Sequence, residues 1–267
     1  VRPNPMTCSV SRVSALALFA ALCTSSASAQ WSSDPGLNLS VADGFGEQIL
    51  PKIAPTADGG CYVSWFDGGA GYDVRLQRLD AAGNELWAHN GVLVRDRSFS
   101  SVQDYGLDVD ASGAALLAFR DDNFATEQAT AARVDASGTL SWGAAGVQLT
   151  STTAFIASPK ITGTANGDVV VSWTENNLAR TQRLTSGGAT VWAAPVDLTP
   201  AVGNYSVSDL HASGDDVILA IVHQTGTSFL SPKHLKAQKF DAAGAALWGA
   251  APVAVFDGGS LQIGNFP

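Results

Sequence analysis

Four titratable side chains recur at equivalent positions along the chain and are the first candidates for chemistry. Each of them ends a short apolar segment: Asp67, Asp121, Glu175 and His223. Carboxylates and imidazoles gathered at a channel mouth can bind a cation or sugar hydroxyls, and in an enzyme they can serve as acid, base or metal ligand. The alternative is that they are solvated strand ends, because residues that recur in every repeat commonly belong to the scaffold.

A second group of candidates does not recur. Its members lie in segments that differ in length and composition from repeat to repeat: Tyr72, Asp122, Phe124 and His234. Such residues are better candidates for specificity, and the aromatic rings among them can stack on sugar faces. The alternative for a loop aromatic is packing on the neighbouring unit. The two groups together form the predicted ligand-binding set.

Two further polar residues, Asp108 and His211, align with Ala54 and Thr162 on the innermost predicted strands. They could meet across a channel as a pair of metal ligands. A protein metal site uses three or more ligands, and the sequence offers no third one at useful spacing. No nucleophile elbow, zinc-protease helix or phosphate-binding glycine loop is present either. The prediction is therefore that the chain uses neither a metal nor another cofactor.

These candidates belong to a chain that repeats itself every 50 to 56 residues. One block of the repeat reads RLDAAGNELWAHNGVLV at 78–94, and its anchor tryptophans are Trp87, Trp142, Trp192 and Trp248. A second block lies upstream of each anchor and aligns Trp65, Phe119, Trp173 and Ile221. Because the anchors recur at one place in every repeat, we expect them in the core between units rather than in a sugar platform.

Each repeat predicts four short strands. One ends at an Asp-Gly or Asn-Gly turn, one passes through the V-S-W block, one ends at RLDAAG, and one runs from the anchor tryptophan through GVLV. Four strands per roughly 50 residues are typical of a β-propeller blade, and a β-solenoid is the structural alternative. The sequence thus predicts an all-β, propeller-like array of four-stranded antiparallel blades, with about four full repeats plus partial terminal strands.

Turn length separates two rims of this array. The turns after the first and third strands are short and uniform (ADGG, DASG, DAAG) and form the constant rim. The loops after the second strand, and those between blades, range from ENNLA to HQTGTSFLSPKHL and form the variable rim. Variation between repeats marks the binding face, so the candidate set is placed there. The bases of the third strands are expected on the same rim: Arg78, Arg133, Arg183 and Lys239.

The first segment is typical of an export signal. Residues 1–29 contain no acidic residue, place Arg12 before an apolar run, and end in SSASA, which fits a signal peptide with a short upstream extension. The propeller repeat domain then occupies 30–267, and Cys61 is its only cysteine. Because Cys61 lies in an apolar strand, we expect a buried small side chain rather than a reactive thiol.

Composition narrows the classes of partner. Apolar residues make up 46% of the 267 residues and charged residues 15%, which excludes a disordered chain. The formal net charge of −9 argues against nucleic acid as a partner. The apolar run in the first segment is about half of the roughly 20 residues that a membrane span needs, and no other stretch is longer, so no membrane insertion is expected.

The ends of the repeat array are uneven. The segment from Trp31 to Ser40 aligns with the fourth strands of the other repeats, and the segment ending at Pro267 aligns with the start of another repeat. We expect the sequence to be part of a longer reading frame. Unpaired strand edges with apolar faces promote association, so we also expect residues 30–267 alone to oligomerise or aggregate.

The pairing of LDAAGNELW with TADGGCYVSW resembles the repeats of secreted bacterial β-propeller proteins over nearly the whole of 30–267. The resemblance implies a secreted propeller and implies no particular activity. The chain is less similar to two other repeats, the quinoprotein-type repeat and the sialidase Asp-box. The segment from Asp80 to Gly83 is one residue shorter than in the former, and the steps from Asp135 to Gly138 and Gly138 to Trp142 are each one residue longer than in the latter. Neither family's catalytic residues can be placed on this chain.

Three functions remain open. The leading hypothesis is a secreted binding module that recognises a glycan or a protein at the variable rim. The first alternative is an extracellular hydrolase or other propeller enzyme that uses Asp67, Asp121, Glu175 or His223. The second alternative is a structural repeat protein of the cell surface.

Overall fold

The structure is a computed structural model that describes residues 34, 36, 38–69, 71–97, 103–122, 127–150, 152–228 and 230–258. These residues form four four-stranded sheets, and the predicted all-β, propeller-like fold is confirmed. Within these ranges no helix is long and apolar enough to cross a membrane. The predicted signal peptide, Phe124 and half of the predicted first strand at 31–40 lie outside the described residues.

Each sheet is one blade of four consecutive strands. Blade 1 contains β1 (Gln48–Pro55), β2 (Cys61–Asp67), β3 (Asp73–Leu79) and β4 (Val92–Arg95). Blade 2 contains β5 (Gly106–Val109), β6 (Ala115–Asp121), β7 (Gln128–Val134) and β8 (Val147–Gln148). Blade 3 contains β9 (Ile156–Gly163), β10 (Val169–Glu175), β11 (Leu178–Leu184) and β12 (Val196–Leu198). Blade 4 contains β13 (Asn204–Ser213), β14 (Asp216–Gln224), β15 (Lys233–Phe240) and β16 (Val253–Phe256).

Strands pair only with their sequence neighbours, and every pair is antiparallel. The innermost strands β1, β5, β9 and β13 contact one another in that order, so they line a central channel. Every residue of β6 and of β10 is buried, because these second strands are enclosed between neighbouring blades. Three apolar clusters fill the three junctions between successive blades. Cys61 is buried in blade 1, as predicted.

The fourth strands are shorter than the sequence predicted. They do not begin at the anchor tryptophan: β4 begins at Val92, five residues after Trp87. The intervening residues form a turn that ends at Gly91, whose φ is 64° and whose absent Cβ would lie 2.3 Å from the carbonyl oxygen of Leu76. Only glycine fits there, and regular pairing starts after it.

The anchor tryptophans join each blade to the next, as their recurrence predicted. The indole Nε1 of Trp87 donates to the Ala136 carbonyl at 3.2 Å, that of Trp142 to Ser186 at 2.9 Å, and that of Trp192 to Ala242 at 3.0 Å. Each acceptor lies in the turn between the third and fourth strands of the following blade. Trp248, in the last described blade, is 40% exposed.

Candidate functional site

The third-strand bases lie on the constant rim, so their predicted place on the variable rim is wrong. Each of them forms an ion pair with an aspartate at or near the turn that precedes the second strand of the same blade: Arg78 with Asp58 at 2.8 Å, Arg133 with Asp110 at 2.7 Å, Arg183 with Asp168 at 2.8 Å and Lys239 with Asp216 at 3.0 Å. The physical reason is strand direction. The third strand starts at the variable rim and ends at the constant rim, and these residues stand next to its last residue.

The recurring acids do end the second strands at the variable rim, and each contacts an arginine. Asp67 pairs with Arg75 of β3 at 3.0 Å. Asp121 is fully buried and accepts a hydrogen bond from Nε of Arg95 at 2.5 Å. Glu175 accepts hydrogen bonds from Arg180 at 2.8 Å and from the indole of Trp173 at 3.2 Å. Asp121 and Glu175 are buried, so these two are not the solvated strand ends of the alternative interpretation, and the arginine contacts neutralise all three acids locally.

The fourth member of the recurring set differs from the other three. The Nε2 atom of His223 lies 3.0 Å from the carbonyl oxygen of Val202, and its ring packs edge-on against Tyr205 with centroids 4.9 Å apart. His234 lies directly opposite His223 on the paired strand. The structure therefore brings two of the predicted site residues together at the end of blade 4.

Two of the remaining predicted residues lie near the junction of blades 1 and 2. Tyr72 packs against the apolar cluster there, and its hydroxyl donates to Glu47 at 3.0 Å, which raises the pKa of Tyr72. Both carboxylate oxygens of Asp122 are buried without a hydrogen-bond partner among the described residues. Burial raises the pKa of Asp122, and the nearby charge of Arg97 opposes that effect.

The most convergent group of polar side chains lies in the central channel. A cavity of about 250 Å³ receives residues from all four innermost strands or the segments that lead into them. Its polar lining comprises Lys52, Tyr105, Asp108, Lys160, Asp209 and His211. We call it the axial cavity. Of these six residues, the sequence placed only Asp108 and His211 on the innermost strands.

Two lysines from different blades share one carboxylate beside the axial cavity. Nζ of Lys52 lies 2.6 Å from Asp104, and Lys160 donates to the other oxygen of the same side chain. Burial favours the neutral form of Asp104, but the hydrogen bonds from Lys160 and Lys52 outweigh it and hold the pKa of Asp104 below its usual value. Asp104 thus remains charged and fixes both ammonium groups at the channel wall.

The proposed ligand pair of Asp108 and His211 is not formed. Asp108 accepts hydrogen bonds from the Thr162 hydroxyl at 2.7 Å and the Gly163 amide at 3.2 Å, whereas His211 contacts Asp209 at 3.0 Å. Both residues nevertheless line the axial cavity. In the described part of the chain, no three or more His, Cys, Asp or Glu side chains are placed so that they could hold a metal ion together.

Irregular backbone lies next to the two lysines. In β1 and β9 one extra residue interrupts the pairing, and Leu50 and Ser158 have φ of 50° and 46°. Bulges and strained backbone recur next to functional sites, where they redirect side chains. The sequence carried a signal for this site: Pro-Lys-Ile occurs at 51–53 and again at 159–161, at the same point of two repeats.

Comparison with solved structures returns glycoside hydrolases and polysaccharide lyases at low sequence identity. An ulvan lyase from a new polysaccharide lyase family, bound to a saccharide of glucuronic acid and sulfated rhamnose, superimposes with a TM-score of 0.52 and 13% identity, over 76% of this chain and 54% of that chain. A thermostable family-43 glycoside hydrolase gives 0.48 and 11%, over 80% and 78%. A glycosyl hydrolase from Bacteroides ovatus gives 0.46 and 11%, over 75% and 69%. No protein-family model and no curated protein sequence matches the chain.

Proposed function

We propose that this chain is a secreted, propeller-type glycan-binding module whose ligand enters the axial cavity from the variable rim. The observation that carries the proposal is the composition of that cavity. Lysines from blades 1 and 3 and aspartates from blades 2 and 4 converge on one polar space of about 250 Å³. Sugar hydroxyls both donate and accept hydrogen bonds, so they match a wall that presents ammonium groups and carboxylates together.

Preorganisation of the cavity supports the same proposal. The shared carboxylate of Asp104 and the ring of Tyr105, whose centroid lies 5.1 Å from Nζ of Lys52, hold that ammonium group in place before a ligand arrives. Tyr105 is itself fixed, because its hydroxyl contacts the Ser64 hydroxyl at 2.8 Å and the Leu50 carbonyl at 2.9 Å. Side chains that are ordered in the free protein lose little entropy on binding.

A glycan array tests the proposal. The wild-type chain is expected to bind a subset of polysaccharides, and the double variant Lys52→Gln, Asp209→Asn is expected to bind them at least about tenfold more weakly, because charge-assisted hydrogen bonds are lost. Lys239→Gln serves as the matched control, since it removes a lysine from the constant rim. A wild-type chain that binds no polysaccharide, or a double variant that binds normally, contradicts the proposal.

An enzyme that acts on glycans is the second candidate. Three carboxylates favour it: Asp108 and Asp209 line the axial cavity, and Asp104 lies beside it. Glycoside hydrolysis needs one ionised and one protonated carboxyl group, and Asp104, with its lowered pKa, fits the ionised role. Release of reducing ends from a bound polysaccharide, abolished in Asp108→Asn with binding retained, would establish this function. Binding without turnover in the wild type would exclude it for the glycans tested.

A further inference from the structure

A second cavity lies outside the channel, where blade 3 meets blade 4 below the variable rim. It encloses about 570 Å³, which is within the range of small-molecule sites. We call it the wedge pocket, and six of its lining residues matter here: Asp197, Thr199, Ala201, Tyr205, His223 and Lys236. None of them lines the axial cavity.

At the wedge pocket two long side chains of the blade 1 junction are replaced by short ones. At the junction of blades 1 and 2, Arg95 contacts Asp121, and the guanidinium of Arg97 lies 4.7 Å from the centroid of the Phe66 ring with 1% of Arg97 exposed. Aligning GVLVRDR at 91–97 with PVDLTPA at 195–201 puts Thr199 and Ala201 at those two positions. The equivalent space at the junction of blades 3 and 4 is therefore left open.

One positive charge in the wedge pocket lacks a partner. Lys236 is half-buried, and its ammonium group makes no hydrogen bond or ion pair within the described ranges, its one ring contact being Tyr205 at 5.9 Å. Asp197 does not neutralise it, because both carboxylate oxygens of Asp197 are held by Arg180 at 2.9 and 3.1 Å. A partly desolvated cation without a counter-charge attracts an anion.

Two imidazoles share the face of blade 4 that carries this lysine. Side chains alternate along a strand, so His234 lies on the same face of β15 as Lys236, and His223 stands opposite His234 on β14. Because Nε2 of His223 donates to the Val202 carbonyl, its Nδ1 remains free to accept or, when protonated, to donate. Blade 4 thus presents three nitrogen-bearing side chains together.

We propose that the wedge pocket binds a sugar unit that carries a carboxylate, with Lys236 as the partner of that group. The space is far larger than an inorganic ion needs, and the hydroxyls of Thr199 and Tyr205 can bind sugar hydroxyls. Ala201 and the short apolar side chains of 250–252 supply a surface for the face of the ring. This site is separate from the axial cavity, so either proposal can fail alone.

The test is a titration of the full chain with glucuronate, in which NMR chemical shifts of the backbone amides report binding. Saturable shifts are expected at Ala250 and Ala251, and the amides of Gly106 and Ile161 report on the axial cavity independently. Lys236→Gln is expected to weaken binding at the wedge pocket at least about tenfold, because it removes a charge-assisted hydrogen bond. Thr199→Arg, which restores the residue of the blade 1 junction, is expected to fill the pocket and abolish the shifts.

Matched ligands and a matched variant complete the design. Lys239→Gln changes a lysine three residues away on the same strand, which is ion-paired at the constant rim, and is expected to bind as the wild type does. Equal binding of glucose would overturn the assignment of a carboxylate, and equal binding of inorganic sulfate would reduce the site to an ion site. Unchanged shifts in both Lys236→Gln and Thr199→Arg would show that the pocket is not the binding site.

Discussion

Both rims of the array contain contacts between acidic and basic side chains, but these contacts repeat from blade to blade on the constant rim and vary on the variable rim. On the constant rim each blade repeats one ion pair between the third strand and the turn before the second, and three successive junctions repeat one indole-to-carbonyl hydrogen bond. On the variable rim the acid that ends the second strand pairs with the equivalent third-strand arginine in blades 1 and 3 and with Arg95 of the preceding blade in blade 2, and in blade 4 a histidine replaces the acid. Repetition of a contact therefore marks scaffold, and loss of a contact leaves space for a ligand.

The largest effect is expected on the constant rim, where Trp192 joins blade 3 to blade 4. Trp192→Ala removes a side chain that is 7% exposed and its hydrogen bond to Ala242, and should lower the free energy of unfolding by about 3–5 kcal/mol. Trp248→Ala is the matched variant, because Trp248 is 40% exposed. It should cost about 1 kcal/mol or less. Urea denaturation of both variants measures the difference, and equal losses would contradict the role of the anchors between blades.

On the variable rim, two recurring acids should differ from each other. Asp121 is fully buried against Arg95, so Asp121→Asn leaves that guanidinium without its counter-charge and should cost about 3 kcal/mol. Asp67 faces an arginine whose side chain is 28% exposed, and Asp67→Asn should cost under about 1 kcal/mol. Thermal unfolding at neutral pH ranks the two variants. If Asp121→Asn lowers the melting temperature no more than Asp67→Asn does, the ion pair of Asp121 is not needed for stability and the prediction is contradicted.

The anchor spacing was sufficient to predict the blades, because tryptophans 50 to 56 residues apart must occupy equivalent places in equivalent units. It did not predict where the fourth strand begins, since the indole of Trp87 reaches across to the next blade while its own backbone turns toward Gly91. The position of Arg78 on the constant rim could have been predicted from strand direction alone, because Arg78 is the second-last residue of a strand that leads into a short turn.

The channel site was less predictable, because its members come from all four blades. Lys52, Asp104 and Lys160 are separated from one another by more than 50 residues in sequence. Only the radial arrangement of the blades brings the two lysines to one carboxylate. The recurrence of Pro-Lys-Ile could have identified the two lysines. Their shared partner lies in the segment between β4 and β5, where no repeat pattern points to it.

Two glycines in the short turns of the constant rim, Gly188 after a third strand and Gly113 after a first strand, should separate backbone strain from contact between blades. Gly188 has a φ of 86°, and a Cβ there would lie 2.9 Å from Val147 and 3.1 Å from Trp142 of the preceding blade. Gly188→Ala should cost about 1 kcal/mol for the left-handed backbone and about 1–2 more for the crowding. Gly113 has a φ of 83° and nothing within 4 Å of its Cβ position, so Gly113→Ala should lose only the stability that the left-handed backbone costs. Urea denaturation measures both variants, and equal free energies of unfolding would mean that Val147 and Trp142 move aside without an energetic cost.

The smallest effect is expected at Asp122 on the variable rim, where the charge of the carboxylate either destabilises the fold or balances Arg97. Because burial raises the pKa of Asp122, the folded chain binds this proton more tightly than the unfolded chain, and the stability that the protonated carboxyl group contributes is lost as the pH rises through the folded pKa. Asp122→Asn keeps the shape without the charge and should raise the melting temperature by about 1–2 °C at pH 7, a modest gain because the nearby charge of Arg97 offsets part of the cost of burying the carboxylate. The gain should vanish below about pH 4, where Asp122 is protonated in both states. A variant that melts lower at pH 7 would instead mean that the charge of Asp122 balances Arg97, as Asp121 balances Arg95 in the same junction.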